Sequence, residues 1–220
     1  SAASDVYKRQ TLGALAVGGN ESRRKAFAPL LMDTVRVSAC YEYRGRAAHQ
    51  SVNDYTAGLL DELETRILEA GPENIIAFVA EPVVGATGGA IPPTPGYFQG
   101  VRDICDRYRI LFIADEVMCG MGRTGSMYAI EQDGVAPDII AIGKGLGAGY
   151  QPIGAVLAHQ TIVDCLRNGS GMFQHGHTYI GHPVAASAAL EVQKVIERDD
   201  LLGRVRSRGA TLRRPSLLHI

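Results

Sequence analysis

Short apolar runs and amphipathic stretches alternate along this chain, and their spacing predicts its elements. Asn53 or Asp54 caps a helix whose apolar positions Leu59, Leu60, Leu63, Ile67 and Leu68 recur at helical spacing, until Gly71-Pro72 stops it. Residues 75–80, Ile-Ile-Ala-Phe-Val-Ala, read as a buried strand that ends at Glu81-Pro82 and gives way to a glycine- and proline-rich loop over residues 85–93. Thr94-Pro95 offers a cap and a first-turn proline for a second helix, with Val101, Ile104, Cys105 and Tyr108 as its inner stripe. Further strands are expected at residues 110–114, 138–142 and 153–158, a short helix near residues 127–132, and a long one from Pro183 to about Arg198. Residues 11–48 are turn-rich, with only short apolar pieces at 29–32 and 34–37.

Strands that alternate with helices imply an α/β fold, with a mostly parallel central sheet and helices on both faces. Runs 138–142 and 153–158 are joined too tightly for a helical crossover, so that pair is expected to be antiparallel. Ligands of open α/β sheets bind outside the carboxyl ends of the strands. Two apolar runs deliver charge to such ends: residues 110–114 stop at Asp115-Glu116, and 138–142 stop at Gly143-Lys144-Gly145. An unpaired ammonium costs several kcal/mol to bury, so a lysine after an apolar strand is out of place as a solubilising charge. The flanking glycines would let a ligand or another backbone approach it closely.

Other chemistries can be weighed against the same residues. A phosphate-binding P-loop would need glycine at Asp138 and a hydroxyl at Gly145, and has neither. Gly143-Lys-Gly-Leu-Gly-Ala148 fits a dinucleotide fingerprint after a strand, with Asp164 roughly 20 residues on. Gly149-Tyr-Gln-Pro152 and another strand follow it, leaving no helix N-terminus for a pyrophosphate. Asp115 either caps a turn or pairs with a cationic ring nitrogen, which would explain an acid at an apolar strand end. His175, His177 and His182 lack a neighbouring acid or thiol and make a poor metal set. Thr178, ahead of Gly181-His-Pro183 and a helix, either caps the turn or holds a phosphate oxygen.

Composition narrows the partners. The chain has 220 residues, 46% of them hydrophobic, and a formal net charge of −1, which provides no basic field for nucleic acid or an anionic membrane surface. Small-molecule substrates are the expectation. The four cysteines form no Cys-x-x-Cys pair, which suits a reduced, cytoplasmic setting. No apolar run approaches the ~18 residues of a membrane span.

The residues just singled out form a longer pattern. Phe112-Ile-Ala-Asp-Glu-Val-Met-Cys-Gly-Met-Gly-Arg-Thr-Gly125, followed by Pro137-Asp-Ile-Ile-Ala-Ile-Gly-Lys-Gly-Leu-Gly-Ala-Gly149, resembles the signature of class III aminotransferases, pyridoxal 5'-phosphate enzymes of fold type I. The 29-residue separation of Asp115 and Lys144 belongs to that signature. Thr11-Leu-Gly-Ala-Leu-Ala-Val17, Glu81-Pro82 with its glycine loop, Tyr150-Gln-Pro-Ile-Gly154 and His177-Thr-Tyr179 are similar to the family in the same order. The resemblance covers about residues 11–212. It implies that Lys144 is the Schiff-base lysine and Asp115 the partner of the pyridine nitrogen. It also implies that Val117 packs on one ring face, that Glu81 belongs to the cofactor site, and that Thr178 reaches the cofactor phosphate of a neighbouring subunit. Such an enzyme would be a homodimer with shared active sites, passing an amino group from an amino donor to a 2-oxo acid in two half-reactions. A decarboxylating transaminase or an aminomutase would share Lys144 and Asp115. A nicotinamide-dependent dehydrogenase would instead need a helix near Gly147, and an inactive binding piece would need neither residue.

The ends depart from the pattern. Residues 1–10 join no periodicity and read as a non-native leader, residues 11–205 as an incomplete cofactor-binding large domain, and residues 206–220 as a truncated link to a small domain. Relative to the family, the chain would lack the main phosphate loop, the ring-stacking aromatic and the arginine that binds substrate carboxylate, so a fragment with an incomplete site is implied. Ala86 stands where ornithine- and γ-aminobutyrate-type members carry a gating glutamate, which favours an ω-amino acid or amine to pyruvate type.

Overall fold

The computed structural model describes residues 11–213. The leader expected at residues 1–10 and the tail from 214 to 220 lie outside the described residues. In chain order the elements begin with short helices α1 (Leu12–Val17), α2 (Glu21–Arg24) and α3 (Glu42–Gly45), with a 3-10 turn at Lys25–Leu30 between the last two. The long helix α4 (Val52–Ala70) leads to strand β1 (Ala77–Ala80), helix α5 (Tyr97–Tyr108) and strand β2 (Leu111–Asp115). A 3-10 helix at Ala129–Asp133 precedes strand β3 (Ile139–Ile142), and a 3-10 turn at Lys144–Leu146 precedes strand β4 (Ala155–Ala158). Helices α6 (Gln160–Asn168), α7 (Pro183–Arg198) and α8 (Leu201–Leu212) complete the described chain. Helix α8 runs unbroken through the boundary expected at residue 205.

The strands form one sheet in the order β1-β2-β3-β4. β1 and β2 are parallel with Phe78 opposite Phe112, β2 and β3 are parallel with Asp115 opposite Ala141, and β3 and β4 are antiparallel with Ile140 opposite Leu157. The mostly parallel sheet with one antiparallel pair is therefore the architecture that the sequence implies. Its main core lies between the sheet and the pair α4 and α5: Leu59, Leu63 and Ile67 meet Phe98, Val101, Ile104 and Cys105 above Ile110 and Phe112. Phe98 stacks on Phe112 with ring centroids 5.8 Å apart and an interplanar angle of 17°. Burying each such ring contributes about 1.5–3 kcal/mol, which fixes β2 against α5.

At the amino ends of the strands, Asp138 staples the layers together. Its Oδ2 accepts both the Phe112 backbone N–H and Arg102 Nη1, each at 2.7 Å, while Arg102 also pairs with Asp106 at 2.7 Å. This half-buried, charge-assisted network ties α5 to the sheet and leaves the carboxyl ends free of it.

Several boundaries differ from those expected, for local reasons. The cap of α4 is Ser51, whose Oγ accepts the Asp54 N–H at 3.1 Å and whose hydroxyl donates to Asp54 Oδ2 at 2.6 Å, so Asn53 and Asp54 lie inside the first turn. The cap of α5 is Gly96, at φ 82°, because the Thr94 hydroxyl is buried in contacts with Thr56 Oγ1 at 2.8 Å and Cys40 Sγ at 3.3 Å. Residues 75 and 76 fall outside β1, and Ile76 is 81% exposed, though its carbonyl still accepts the Leu111 N–H at 3.0 Å. Helix α6 has no counterpart in the sequence reading; its cap is His159 Nδ1, which accepts the Thr161 N–H at 3.4 Å, and histidine is a weak cap signal.

Two glycines of helices make different predictions for stability. Gly58 lies exposed on α4 with open space around it, so Gly58→Ala is expected to stabilise by up to about 1 kcal/mol in urea unfolding. A Cβ on Gly100 would collide with Leu60 Cδ1 and come within 2.9 Å of its Cδ2, so Gly100→Ala must shift Leu60 and is expected to gain less than Gly58→Ala despite the same change in helix propensity. A Gly100→Ala protein stabilised as much as Gly58→Ala would contradict the close α4–α5 packing. Burial also pushes the Cys105 thiol from its ordinary 9.0 up to about 11. The unfolded thiol ionises first, so stability should be full below pH 9 and fall as the pH rises toward 11. A Cys105→Ala variant should show a shallower alkaline loss.

Candidate active site

Three parallel strands end side by side, and each end carries one of the expected site residues. Glu81 follows β1, Asp115 closes β2, and Lys144 comes two residues after β3. Parallel neighbours lie about 4.8 Å apart, so the three side chains originate from one edge of the sheet. The pairing continues past β2, where the Glu116 N–H donates to the Ala141 carbonyl at 2.9 Å.

Each residue is set by its own short loop. Asp115 Oδ1 accepts the Val117 N–H at 3.2 Å, which turns the chain sharply after the strand. That turn buries Val117, 5% exposed, and a Cβ on Gly143 would lie 3.7 Å from Val117 Cγ1, so the valine packs against the end of β3. Gly143 is extended and Lys144 then adopts φ 43°, a left-handed conformation rare for a residue with a side chain. Such strain costs of order 1–3 kcal/mol and persists where the surroundings impose it. Here Gly145 lies under Met121, where a Cβ would approach Met121 Cβ to 2.8 Å, and Gly147 lies under the Gln151 carbonyl, where it would approach to 2.6 Å. Helix α7 packs on the same turn.

Glu81 is half-buried and its Oε2 accepts the Gly85 N–H at 3.0 Å, closing a loop pinned by Val84 and Ile91, which exchange N–H to carbonyl bonds of 2.9 and 3.0 Å. Met118 crosses beneath that loop, 2.6 Å from where a Cβ on Gly85 would stand. Ala86 is exposed at the loop's outer side. Thr178 lies elsewhere, in an exposed turn where the Ile180 N–H bonds the His177 carbonyl at 3.0 Å, ahead of α7. His182 Nδ1 caps α7 by accepting the Ala185 N–H at 3.3 Å. The structure thus groups Glu81, Asp115, Val117 and Lys144, and leaves Thr178 on an outward surface. No helix starts near Gly147, as the dehydrogenase alternative requires; the next one is α6, from Gln160.

Glu116 was the residue that sequence reasoning did not separate from Asp115. It is 0% exposed: Oε1 accepts the Ile130 N–H at 2.8 Å, and Oε2 accepts the Ala129 N–H at 3.0 Å and the Cys119 thiol at 3.1 Å. Burial and then the Glu116 charge push the Cys119 thiol well above its ordinary value, so it stays a protonated donor. The alternation of side chains along a strand was the available signal, since consecutive residues leave opposite faces.

An acid, an amine and an apolar side chain at the carboxyl edge of a mixed sheet fit a flat aromatic cofactor that carries a ring nitrogen and an aldehyde. The fold is α/β, with this acid and amine at the carboxyl ends of adjacent parallel strands. The Aminotransferase class-III model matches residues 2–218, and the chain belongs to that family. It is 50% identical over 215 residues to an aminotransferase from Gibberella zeae, covering 97% of this chain and 42% of that one. It is 39% identical to the putrescine–pyruvate aminotransferase of Pseudomonas aeruginosa, covering 93% and 44%. Its fold superposes on the omega transaminase of Pseudomonas jessenii in complex with PMP with a TM-score of 0.81 and 38% identity, over 88% of this chain and 43% of that one. The chain spans less than half the length of these relatives.

The contact under Gly147 gives a direct test of the lysine turn. Gly147→Ala must displace the Gln151 backbone, which no side-chain rotation relieves, and also meets Ile153 Cγ2 at 2.8 Å, so it is expected to cost about 1–3 kcal/mol. Gly13→Ala, in an exposed helix position that meets nothing within 4 Å, should be neutral to mildly stabilising. Equal melting temperatures for the two variants would contradict the geometry around Lys144.

Proposed function

We propose that this chain forms the cofactor-binding part of a pyridoxal 5'-phosphate-dependent transaminase, which moves an amino group from an amino acid or amine to a 2-oxo acid. The observation that carries the proposal is the arrival of Asp115 and Lys144 at the ends of adjacent parallel strands, with Val117 buried at the same edge. Membership of the class-III family supports it. When bound, the cofactor would supply an electron-accepting ring for the carbon whose C–H bond breaks.

The chain's own residues divide the remaining work. Lys144 Nζ serves as the covalent anchor and, once released by substrate amine, carries a proton between substrate and cofactor carbons. The left-handed backbone at Lys144, held by the packing of Gly145 and Gly147, limits where that amine can point. The Asp115 carboxylate favours the protonated form of a ring nitrogen placed against it. Val117 supplies an apolar surface that excludes water from one ring face. Glu81 orders the loop over the substrate side through Gly85.

Thr178, on its exposed turn, is assigned to the cofactor phosphate of a second copy, which makes the working unit a homodimer with shared sites. Exposed Met172, Phe173, Tyr179 and Ile180 around it supply apolar area for that contact. Ala86 leaves the outer loop without an acid, and the likeness to a putrescine–pyruvate enzyme agrees with an amine or ω-amino acid donor and pyruvate as acceptor. A cytoplasmic location is assigned on the free Cys40, Cys105, Cys119 and Cys165. Among the described residues, no helix is long and apolar enough to cross a membrane.

Adding pyridoxal phosphate to the purified chain and reducing with borohydride should fix the cofactor to the Lys144 peptide, read by mass spectrometry. Lys144→Ala should abolish that label, and Asp115→Asn should keep it while weakening cofactor retention. A label distributed over Lys25 and Lys194, and unchanged in Lys144→Ala, would overturn the assignment.

A further inference from the structure

Residues 116–128 connect the acid edge to the 3-10 helix at Ala129–Asp133, and little regular structure holds them. Within this loop, backbone bonds run from Gly120 N to the Glu116 carbonyl at 2.9 Å, from Gly122 N to Met127 O at 3.3 Å, and from Gly125 N to Gly122 O at 3.0 Å. Met121, Gly122 and Gly125 all have positive φ, so the segment loses much conformational freedom when it orders. Two side chains compensate. On the outside, Arg206 of α8 donates to the Gly125 carbonyl. On the inside, the Glu116 carboxylate gathers the Ala129 and Ile130 N–H groups and the Cys119 thiol, drawing both ends of the loop together.

Glu116 lies between the two residues that face the proposed ring. The Asp115 carboxylate bonds the Val117 N–H across it at 3.2 Å, and the Glu116 N–H holds β3 through Ala141 at 2.9 Å. A rotation of either peptide bond of Glu116 therefore moves Asp115 or Val117, or both. We propose that Glu116 is a positioning residue for the cofactor edge: its buried carboxylate fixes the loop that orients Asp115 against the ring nitrogen and Val117 against the ring face. This rests on the transaminase reading and goes beyond it, since it assigns the second acid of the pair a role in the reaction without contact with the cofactor. A carboxylate suits the position because it only accepts, and three donors converge on it; an amide would turn one N–H toward another N–H.

The test compares the full chain with Glu116→Gln and, as a milder lesion, Cys119→Ala, which deletes one donor and keeps the carboxylate. For each, pyridoxal phosphate affinity, the pH at which its bound visible band titrates, and the borohydride label are measured. The expected result is a label at Lys144 in all three proteins. Glu116→Gln should bind at least about tenfold more weakly and shift the titration by about one pH unit, and Cys119→Ala should shift it in the same direction by less. A folded, labelled Glu116→Gln protein with unchanged affinity and titration would overturn the positioning role alone. A label in the unaltered chain spread over Lys25 and Lys194 rather than fixed at Lys144 would overturn the transaminase reading and this role with it. If Glu116→Gln does not fold, Cys119→Ala decides: a shift sustains the role and an unchanged titration removes it.

Discussion

Parallel pairing of β1, β2 and β3 is the constraint from which the remaining features follow. Parallel register carries the carboxyl ends of strands far apart in sequence to one edge, and here it sets Asp115 opposite Ala141, three residues before Lys144. The register is held from the other end and from one face. Asp138 fixes the amino end of β2 through the Phe112 N–H and α5 through Arg102, while Phe98 stacked on Phe112 locks α5 over the strand. One end of the strands is thus stapled by a charge-assisted polar network, and the opposite end is left for chemistry. A one-residue slip of β2 against β3 would reverse which of Asp115 and Glu116 meets the site.

That dependence explains how two adjacent acids acquire different roles. Asp115 bonds the turn after it and faces the edge, whereas Glu116 is buried away from it among two backbone N–H groups and a thiol. The same edge also holds strain, in the positive φ of Lys144 and Met121, and the glycines beside them allow the close approaches that impose it. The geometry gives the physical route by which the acid and the amine are each held.

Legibility in the sequence followed how local the determinant was. The α/β architecture, the antiparallel β3–β4 pair and the amphipathic helices α4, α5 and α7 were readable because their patterns reside in contiguous residues. The edge made by Asp115 and Lys144 was readable because apolar strands ended in charges. Caps failed where side chains had tertiary partners: Thr94 looked like the cap of α5 but its hydroxyl serves Thr56 and Cys40, leaving Gly96 to begin the helix. Helix α6 was hidden by its histidine cap, and Glu116 by donors that lie 3, 13 and 14 residues away. The two backbone donors, 13 and 14 residues on, leave no local pattern.

In the proposed function, strand pairing aims Asp115 at a cofactor ring nitrogen while Lys144 anchors the same molecule. Nitrogen-15 NMR of ring-labelled pyridoxal phosphate bound to the chain tests this most directly. The account predicts a protonated ring nitrogen near neutral pH that loses its proton in Asp115→Asn, with the cofactor still attached at Lys144. A ring nitrogen that is unprotonated in the unaltered chain, or indifferent to Asp115→Asn, would contradict it.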